Sequence, residues 1–95
     1  MLSAPAATPS QQLAAALKPA ITAKYAGRTF QMVTCAIPSA TARHATCLAH
    51  FTQRSAGLKG VFRVAVTIDR STGGVTWRAT SATCTDLQTG KPVRC

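Results

Sequence analysis

Four cysteines in a chain of only 95 residues are the feature that most constrains its fold. A domain of this length buries roughly 64% of the surface that its unfolded chain exposes, so its hydrophobic core is small. Small secreted domains supplement such a core with disulfides, and an even cysteine count without a C-x-x-C pair fits that use better than a zinc site or a redox motif. The cysteines therefore predict a disulfide-cross-linked domain from an oxidising compartment.

The first ten residues, MLSAPAATPS, are rich in Ala, Pro, Ser and Thr. This composition predicts a flexible tether over residues 1–10, followed by a single extracellular α+β domain over residues 11–95. The segment has neither the basic start nor the apolar stretch of a secretory signal, so we expect export to depend on a signal or anchor upstream of it. No apolar run reaches the roughly 20 residues of a membrane helix, so we expect no membrane span in this segment.

An amphipathic helix is predicted to begin near Pro9, where a missing N–H costs nothing, and to end near Gly27. Pro19 lies inside this helical pattern and should kink the helix or divide it into two short pieces. The predicted helix presents one apolar stripe at four-residue spacing, which consists of Leu13, Leu17, Ile21 and Tyr25.

After the predicted helix, the hydrophobic period changes to the two-residue period of strands. Four strands are predicted, over residues 29–36, 45–52, 61–69 and 75–84. Residues 55–60 are typical of a loop, and the glycines of residues 70–74 are typical of a tight hairpin turn. Pairing Ile68 with Trp77 keeps the apolar rows of the last two strands on one face, under the helix stripe. The predicted fold class is α+β, with one N-terminal helix packed on a four-stranded antiparallel meander.

Four cysteines allow three connectivities, and cysteine count alone does not choose among them. A hairpin of the first two strands places Cys35 opposite Cys47 and makes the cysteine face the predicted core face. Cys84 ends the last strand and Cys95 ends the chain, so a bond between them pins the intervening tail. Strand register and tail placement therefore favour the pairs Cys35–Cys47 and Cys84–Cys95. The same hairpin register also pairs Val33 with Ala49 and Gln31 with Phe51.

Several short motifs follow one another along the chain, namely Val33-Thr34-Cys35, Pro38, Cys47, a glycine-containing loop and Val64-Ala65-Val66-Thr67. This order resembles an actinobacterial family of small cell-envelope domains of unknown function, in which a helix precedes a VTC…C hairpin and further strands. The resemblance covers roughly residues 13–80 and implies a domain outside the membrane, behind an N-terminal anchor and a Pro/Ala-rich tether. The second cysteine pair and the strong basic charge depart from that family's pattern.

A second resemblance concerns Thr34-Cys35-Ala36, which is similar to the "TCA" strand end of the bacterial subtilisin-inhibitor family. That family also uses two disulfides on an α+β scaffold, although its cysteine spacing differs from the spacing here. This resemblance implies an alternative function, that of a secreted protease or hydrolase inhibitor acting through a rigid loop.

Residues that carry catalysis or bind metals are scarce in this sequence. His44 and His50 are the only histidines, Asp69 and Asp86 are the only acids, and glutamate does not occur. Their spacing does not suggest a Ser–His–Asp set, and the cysteines are expected in disulfides. We therefore expect no enzyme activity, no cofactor and no metal site. His44 is predicted in the first hairpin loop and His50 on the outward side of the second strand.

Basic charge is the strongest unusual feature, because 11 Lys and Arg face only 2 acids and give a formal net charge of +9. Such a charge attracts polyanions, although it also serves solubility. Arg63 and Arg78 occupy the polar positions of the last two strands, while Arg54 and Arg70 flank those strands from loops. These four arginines are the predicted polyanion-binding residues.

The sequence thus predicts a non-enzymatic extracellular domain of a cell-envelope protein, which binds a protein partner or an anionic surface polymer such as an acidic wall polymer. Specific nucleic-acid recognition is not expected, because it uses exposed aromatic side chains or a known motif. Exposed aromatic stacking residues are not visible, because Tyr25, Phe51, Phe62 and Trp77 all fit core positions.

Overall fold

The computed structural model describes residues 8–95, which form one helix and an antiparallel sheet in the order β1-β2-β3-β4-β5. The predicted fold class is confirmed, and a short fifth strand is added to the four predicted ones. Of the predicted tether, residues 1–7 lie outside the described residues. The elements are α1 Pro9–Lys24, β1 Thr29–Ala36, β2 His44–Gln53, a 3-10 turn Arg54–Ala56, β3 Leu58–Ile68, β4 Val75–Asp86 and β5 Pro92–Val93.

Helix α1 begins with a capping box. The Gln11 amide donates to the Thr8 hydroxyl at 3.2 Å, and the Thr8 amide donates to the Gln11 side chain at 2.9 Å. Two N–H groups that lack partners inside the helix are thereby satisfied. Pro19 lies within the continuous helix, so the predicted division into two pieces is wrong. Pro19 and Ala15 are both exposed, and water can therefore solvate the Ala15 carbonyl that loses its helical hydrogen bond.

The core lies between α1 and the inner face of the sheet, which is the face that carries the helix. Phe51 and Phe62 stack with ring centroids 4.8 Å apart, and Tyr25 of the helix end stacks on Phe62 at 4.7 Å. Aromatic side chains from α1, β2 and β3 therefore form the centre of the core. The residues buried to 8% exposure or less include Leu13, Leu17, Ile21, Phe30, Ala45, Cys47, Ala49, Phe51, Phe62, Val64 and Val66.

Both predicted disulfides are present, and they join Cys35 to Cys47 and Cys84 to Cys95 across 12 and 11 positions of sequence. Each closed loop of this size contributes about 3 kcal/mol to folding stability in the chain-entropy model. The first bond links β1 to β2 within the core, and the second holds the C-terminal tail against β4. Two disulfides are compatible with an extracellular location.

The first hairpin has the predicted cysteine register, in which Cys35 lies opposite Cys47. The predicted pair of Gln31 with Phe51 is wrong, because a β-bulge makes Gln31 the extra residue and sets Phe30 opposite Phe51. Phe30 is 5% exposed, whereas Gln31 is exposed. The bulge therefore places Phe30 on the inner face as a third phenylalanine beside Phe51 and Phe62, which strict alternation from Cys35 does not allow.

In the hairpin of β3 and β4, the observed strand register is shifted by two residues from the predicted register. Ile68 pairs with Val75 rather than with Trp77. The Asp69 amide donates to the Gly74 carbonyl at 2.8 Å, and this bond fixes where the loop ends. Both registers keep the apolar rows on the inner face, because they differ by an even number of residues.

Trp77, which was predicted to lie under the stripe of α1, packs against the core cluster that contains this stripe but is only partly buried. The Lys24 ammonium lies 5.2 Å from the centre of the Trp77 ring, at the border of the helix. Trp77 therefore marks the border of the core and not its centre.

The predicted loop of residues 55–60 is shorter in the structure, because β3 already begins at Leu58. Gly60 lies within the strand, opposite Phe51. A Cβ atom at this position would lie 2.7 Å from the Phe51 ring and also against the Thr83 carbonyl oxygen. Glycine is therefore required here by close packing and not by a turn.

We expect Gly60→Ala to destabilise the domain by about 1–3 kcal/mol, because the added methyl group forces the Phe51 ring or β4 to move. Thermal melting of the oxidised protein measures this change. The matched control is Gly74→Ala, whose Cβ approaches only the Thr72 hydroxyl, at 3.1 Å. Equal melting temperatures for the two variants would contradict the packing described for Gly60.

We expect Phe51→Ala to cost about 3–5 kcal/mol of unfolding free energy, because the removed ring lies at the centre of the core. Trp77→Ala should cost less, since Trp77 is only partly buried in the folded state. Chemical denaturation of both variants makes the comparison. A larger loss for Trp77→Ala would show that the core is centred on β4.

Candidate functional site

The outer face of the sheet, opposite α1, carries mostly polar side chains. Alternation along each strand directs every second residue to this face. These residues are largely exposed, in contrast to their buried neighbours on the inner face. On the three central strands they are His44, Thr46, Leu48, His50 and Thr52 of β2, Lys59, Val61, Arg63, Ala65 and Thr67 of β3, and Thr76, Arg78, Ser81, Thr83 and Thr85 of β4.

Arg63 and Arg78 lie next to each other on the outer face, and both are exposed. Arg63 pairs with Ser81, and Ala65, the next outward residue of β3, pairs with Arg78. This register makes the two arginines diagonal neighbours, with roughly 7–8 Å between their backbones. The Thr80 hydroxyl donates to the Arg63 carbonyl at 3.3 Å, where a β-bulge interrupts β4. The structure therefore brings these two predicted site residues together.

Arg54 and Arg70, the other two predicted site residues, lie at opposite ends of β3. The strand between them has 11 residues and is about 33 Å long. The Arg70 guanidinium donates to the Ala42 carbonyl from Nε at 2.9 Å and from Nη2 at 2.6 Å. Arg70 thus ties the β3–β4 turn to the β1–β2 loop. Neither residue joins the pair formed by Arg63 and Arg78.

Lys59, His44 and His50 add further basic side chains to the outer face, and the predicted site did not include them. His44 is the first residue of β2 and not part of the predicted loop, whereas His50 faces outward as predicted. Lys59 follows the same two-residue spacing as Arg63, which is a signal visible in the sequence. The predicted loop over residues 55–60 concealed that signal, because it placed Lys59 outside the strand.

The two carboxylates of the chain are bound within their own turns. The hydroxyl and amide of Ser71 donate to Asp69 at 2.6 and 2.9 Å and lower the pKa of Asp69. The amides of Thr89 and Gln88 donate to Asp86 and lower the pKa of Asp86. Neither carboxylate belongs to the outward residues of β2, β3 and β4. The positive charge of that face is therefore not neutralised by a neighbouring acid.

His44, Asp69 and Ser71 line one cleft beyond the end of β3. Ser71 and Asp69 belong to one turn, in which the Ser71 hydroxyl donates directly to Asp69 at 2.6 Å. In a Ser–His–Asp catalytic set the imidazole lies between the hydroxyl and the carboxylate, so these three residues do not have the arrangement of such a set. Within residues 8–95, no three His, Cys, Asp or Glu side chains lie close enough together to hold a metal ion.

Shallow clefts on the outer face place each arginine beside hydroxyl groups. The cleft beside Arg78 measures about 500 Å³ and the cleft beside Arg63 about 260 Å³. The outward residues that line them with the arginines include Thr46, Thr67 and Thr76 in the first and Leu48, Ser81 and Thr83 in the second. Such a surface offers several separate contacts to an extended anionic chain and does not enclose a small molecule.

Comparison with protein-family models, curated proteins and solved structures found no match. In the part of the chain that the structure describes, no helix has the length and apolar character needed to cross a membrane.

Proposed function

We propose that this chain is a non-enzymatic extracellular domain of the cell envelope, and that its outer sheet face binds an anionic surface polymer. The observation that carries the proposal is the adjacent pair Arg63 and Arg78 on an exposed face whose outward residues on β2, β3 and β4 include no carboxylate. The extracellular location is supported by the two disulfides and by the resemblance to envelope domains.

Several cations acting together explain how such a face binds. Each exposed cation contributes little alone, but a polyanion releases one bound counterion for roughly every charge that the protein neutralises. Lys59 and Arg63 on β3 and Arg78 on β4 give one continuous basic region. Threonine and serine hydroxyls between them are donors to sulfate, phosphate or carboxylate oxygens. Binding is therefore expected to be weak, independent of polymer sequence and strongly dependent on salt.

The outer face favours a wall polymer over single-stranded nucleic acid. Nucleic-acid binding of that kind uses exposed aromatic side chains on which bases stack. The aromatic side chains of this domain instead form the core or lie on the inner face, as Phe51, Phe62 and Trp77 show. The outward residues of β2, β3 and β4 include no Phe, Tyr or Trp.

One observation supports the alternative of a protease or hydrolase inhibitor. The disulfide between Cys84 and Cys95 encloses a tight turn in which the Gly90 amide donates to the Asp86 carbonyl at 2.9 Å. Leu87 of this turn is 45% exposed, as a residue inserted into a specificity pocket must be. Stoichiometric inhibition of a secreted protease, lost in Leu87→Asp, is the result that would favour this alternative over polymer binding.

We expect the double variant Arg63→Glu/Arg78→Glu to weaken binding to heparin, used as a model polyanion, and to leave the fold intact. Both side chains are exposed, so the core does not depend on them. The logarithm of the binding constant should fall linearly with the logarithm of salt concentration, with a slope smaller by about two in the variant. Titration calorimetry at several salt concentrations measures both slopes.

The matched control is Lys18→Glu/Lys24→Glu, which makes the same change in net charge on α1, behind the sheet. This control should retain more affinity than the variant of the outer face. Equal losses in the two variants would show that net charge alone attracts the polymer. An affinity that does not change with salt, or no binding at low salt, would refute the proposed function.

A further inference from the structure

Within residues 8–95, the part of the inner face of β4 that precedes Cys84 is only partly covered beside the helix. Phe62, Val64 and Val66 of β3 are buried, whereas the β4 residues that pair with them are not. Val64, for example, is 1% exposed, but Ala79 opposite it is only partly buried. Val75 is 42% exposed, and Ala82, which pairs with the buried Phe62, is exposed. The border of the helix therefore runs between β3 and β4. We call the inward row of Val75, Trp77, Ala79 and Ala82 the β4 groove.

The dimensions of the β4 groove fit one helix. A helix with its side chains is about 10 Å wide, whereas neighbouring strands lie about 4.8 Å apart, so one helix covers two to three strands. The row from Val75 to Ala82 is about 23 Å long, which matches roughly 15 residues of α-helix. A second helix placed beside α1 thus has room to cover the exposed part of β4.

The geometry of β4 disfavours addition of a strand to its free edge. β5 pairs only with Cys84 and Thr85, so the edge before these residues is open in the described chain. The β-bulge at Thr80 interrupts that edge in its middle, and bulges of this kind prevent edge-to-edge pairing. The apolar row on the inner face is then the larger surface available to a partner.

Charge indicates which kind of helix fits. Lys24 of α1 lies over the Trp77 ring at 5.2 Å, along one side of the groove. Arg28 lies over the Phe62 ring at 5.5 Å, and Phe62 pairs with Ala82 at the other end of the groove. The groove row itself contains no acid. A second copy of this chain is a poor occupant, because its own surface carries a net charge of +9 and only 2 acids.

We propose that the β4 groove docks an amphipathic helix of a partner protein, with apolar residues toward Trp77 and acidic residues toward Lys24 and Arg28. This site is on the opposite face of the sheet from the proposed polymer-binding site and does not depend on that function. The domain would then bind a polymer on one face and a protein on the other.

The test uses the full chain as bait for a displayed library of peptides about 16 residues long. Enriched peptides should carry apolar residues at helical spacing together with Glu or Asp. They should shift the fluorescence of Trp77, the only tryptophan of the chain, to shorter wavelengths as its ring leaves water. Ala82→Glu and Lys24→Glu should each weaken the enriched peptides at least tenfold. The control Arg43→Glu, at an exposed residue between β1 and β2, should leave their affinity unchanged.

Several results would overturn this inference. No enrichment over an unrelated bait, or enriched peptides whose apolar residues alternate every second position, would exclude a helix-binding groove. Enriched helices that leave Trp77 fluorescence unchanged, or that bind the Ala82→Glu variant equally well, would place their site elsewhere. Circular dichroism and melting of each variant confirm that it is folded, which is expected because Ala82 and Lys24 are exposed.

Discussion

A single helix of 16 residues packs on a sheet of five strands, and this imbalance determines what the rest of the molecule exposes. The stripe of Leu13, Leu17 and Ile21 forms one core with the buried residues of β1, β2 and β3. Between Val75 and Ala82 the inward residues of β4 are covered only in part, and nothing described covers the outer face. Two surfaces of different character result, one polar and basic, the other apolar with lysine and arginine at its border.

A core this small depends on covalent support. The bond between Cys35 and Cys47 joins β1 to β2, with Cys47 in the core and Cys35 packed against it. The bond between Cys84 and Cys95 fixes a tail whose only strand has two residues. Together they contribute about 6 kcal/mol in the chain-entropy model, against a typical total of 5–15 kcal/mol for a domain. With this support, the outer face can consist of threonine, serine and arginine without loss of the fold.

The sequence alone predicted the features that depend on the local hydrophobic period and on residue spacing. The helix stripe, β1, the cysteine pairs and the outward position of Arg63 all follow from period and spacing. The features it did not predict depend on contacts between distant residues. Gly60 belongs to a strand because Phe51 packs against it, and Arg70 is held by a carbonyl 28 positions away. Single-residue bulges at Gln31 and Thr80 likewise have no signal in hydrophobic alternation.

The candidate site was likewise predictable only in the part that depends on strand period. Strand period places Arg63 and Arg78 on one face, but only the observed register makes them diagonal neighbours. Loop residues such as Arg54 carry no such periodic signal, so their position relative to the face needs the three-dimensional structure. The open part of β4 was also not foreseen, because the sequence does not state how many strands one helix covers.

The central claim is that the basic outer face is a binding surface and not only an aid to solubility. Nuclear magnetic resonance of the arginine side-chain Nε–H groups, recorded while a heparin oligosaccharide is added, tests it most directly. The signals of Arg63 and Arg78 are expected to shift first and furthest, while those of Arg28 over its aromatic rings and Arg70 in its turn stay in place. Equal small shifts of all arginines, or shifts confined to Arg28 or Arg94, would contradict it.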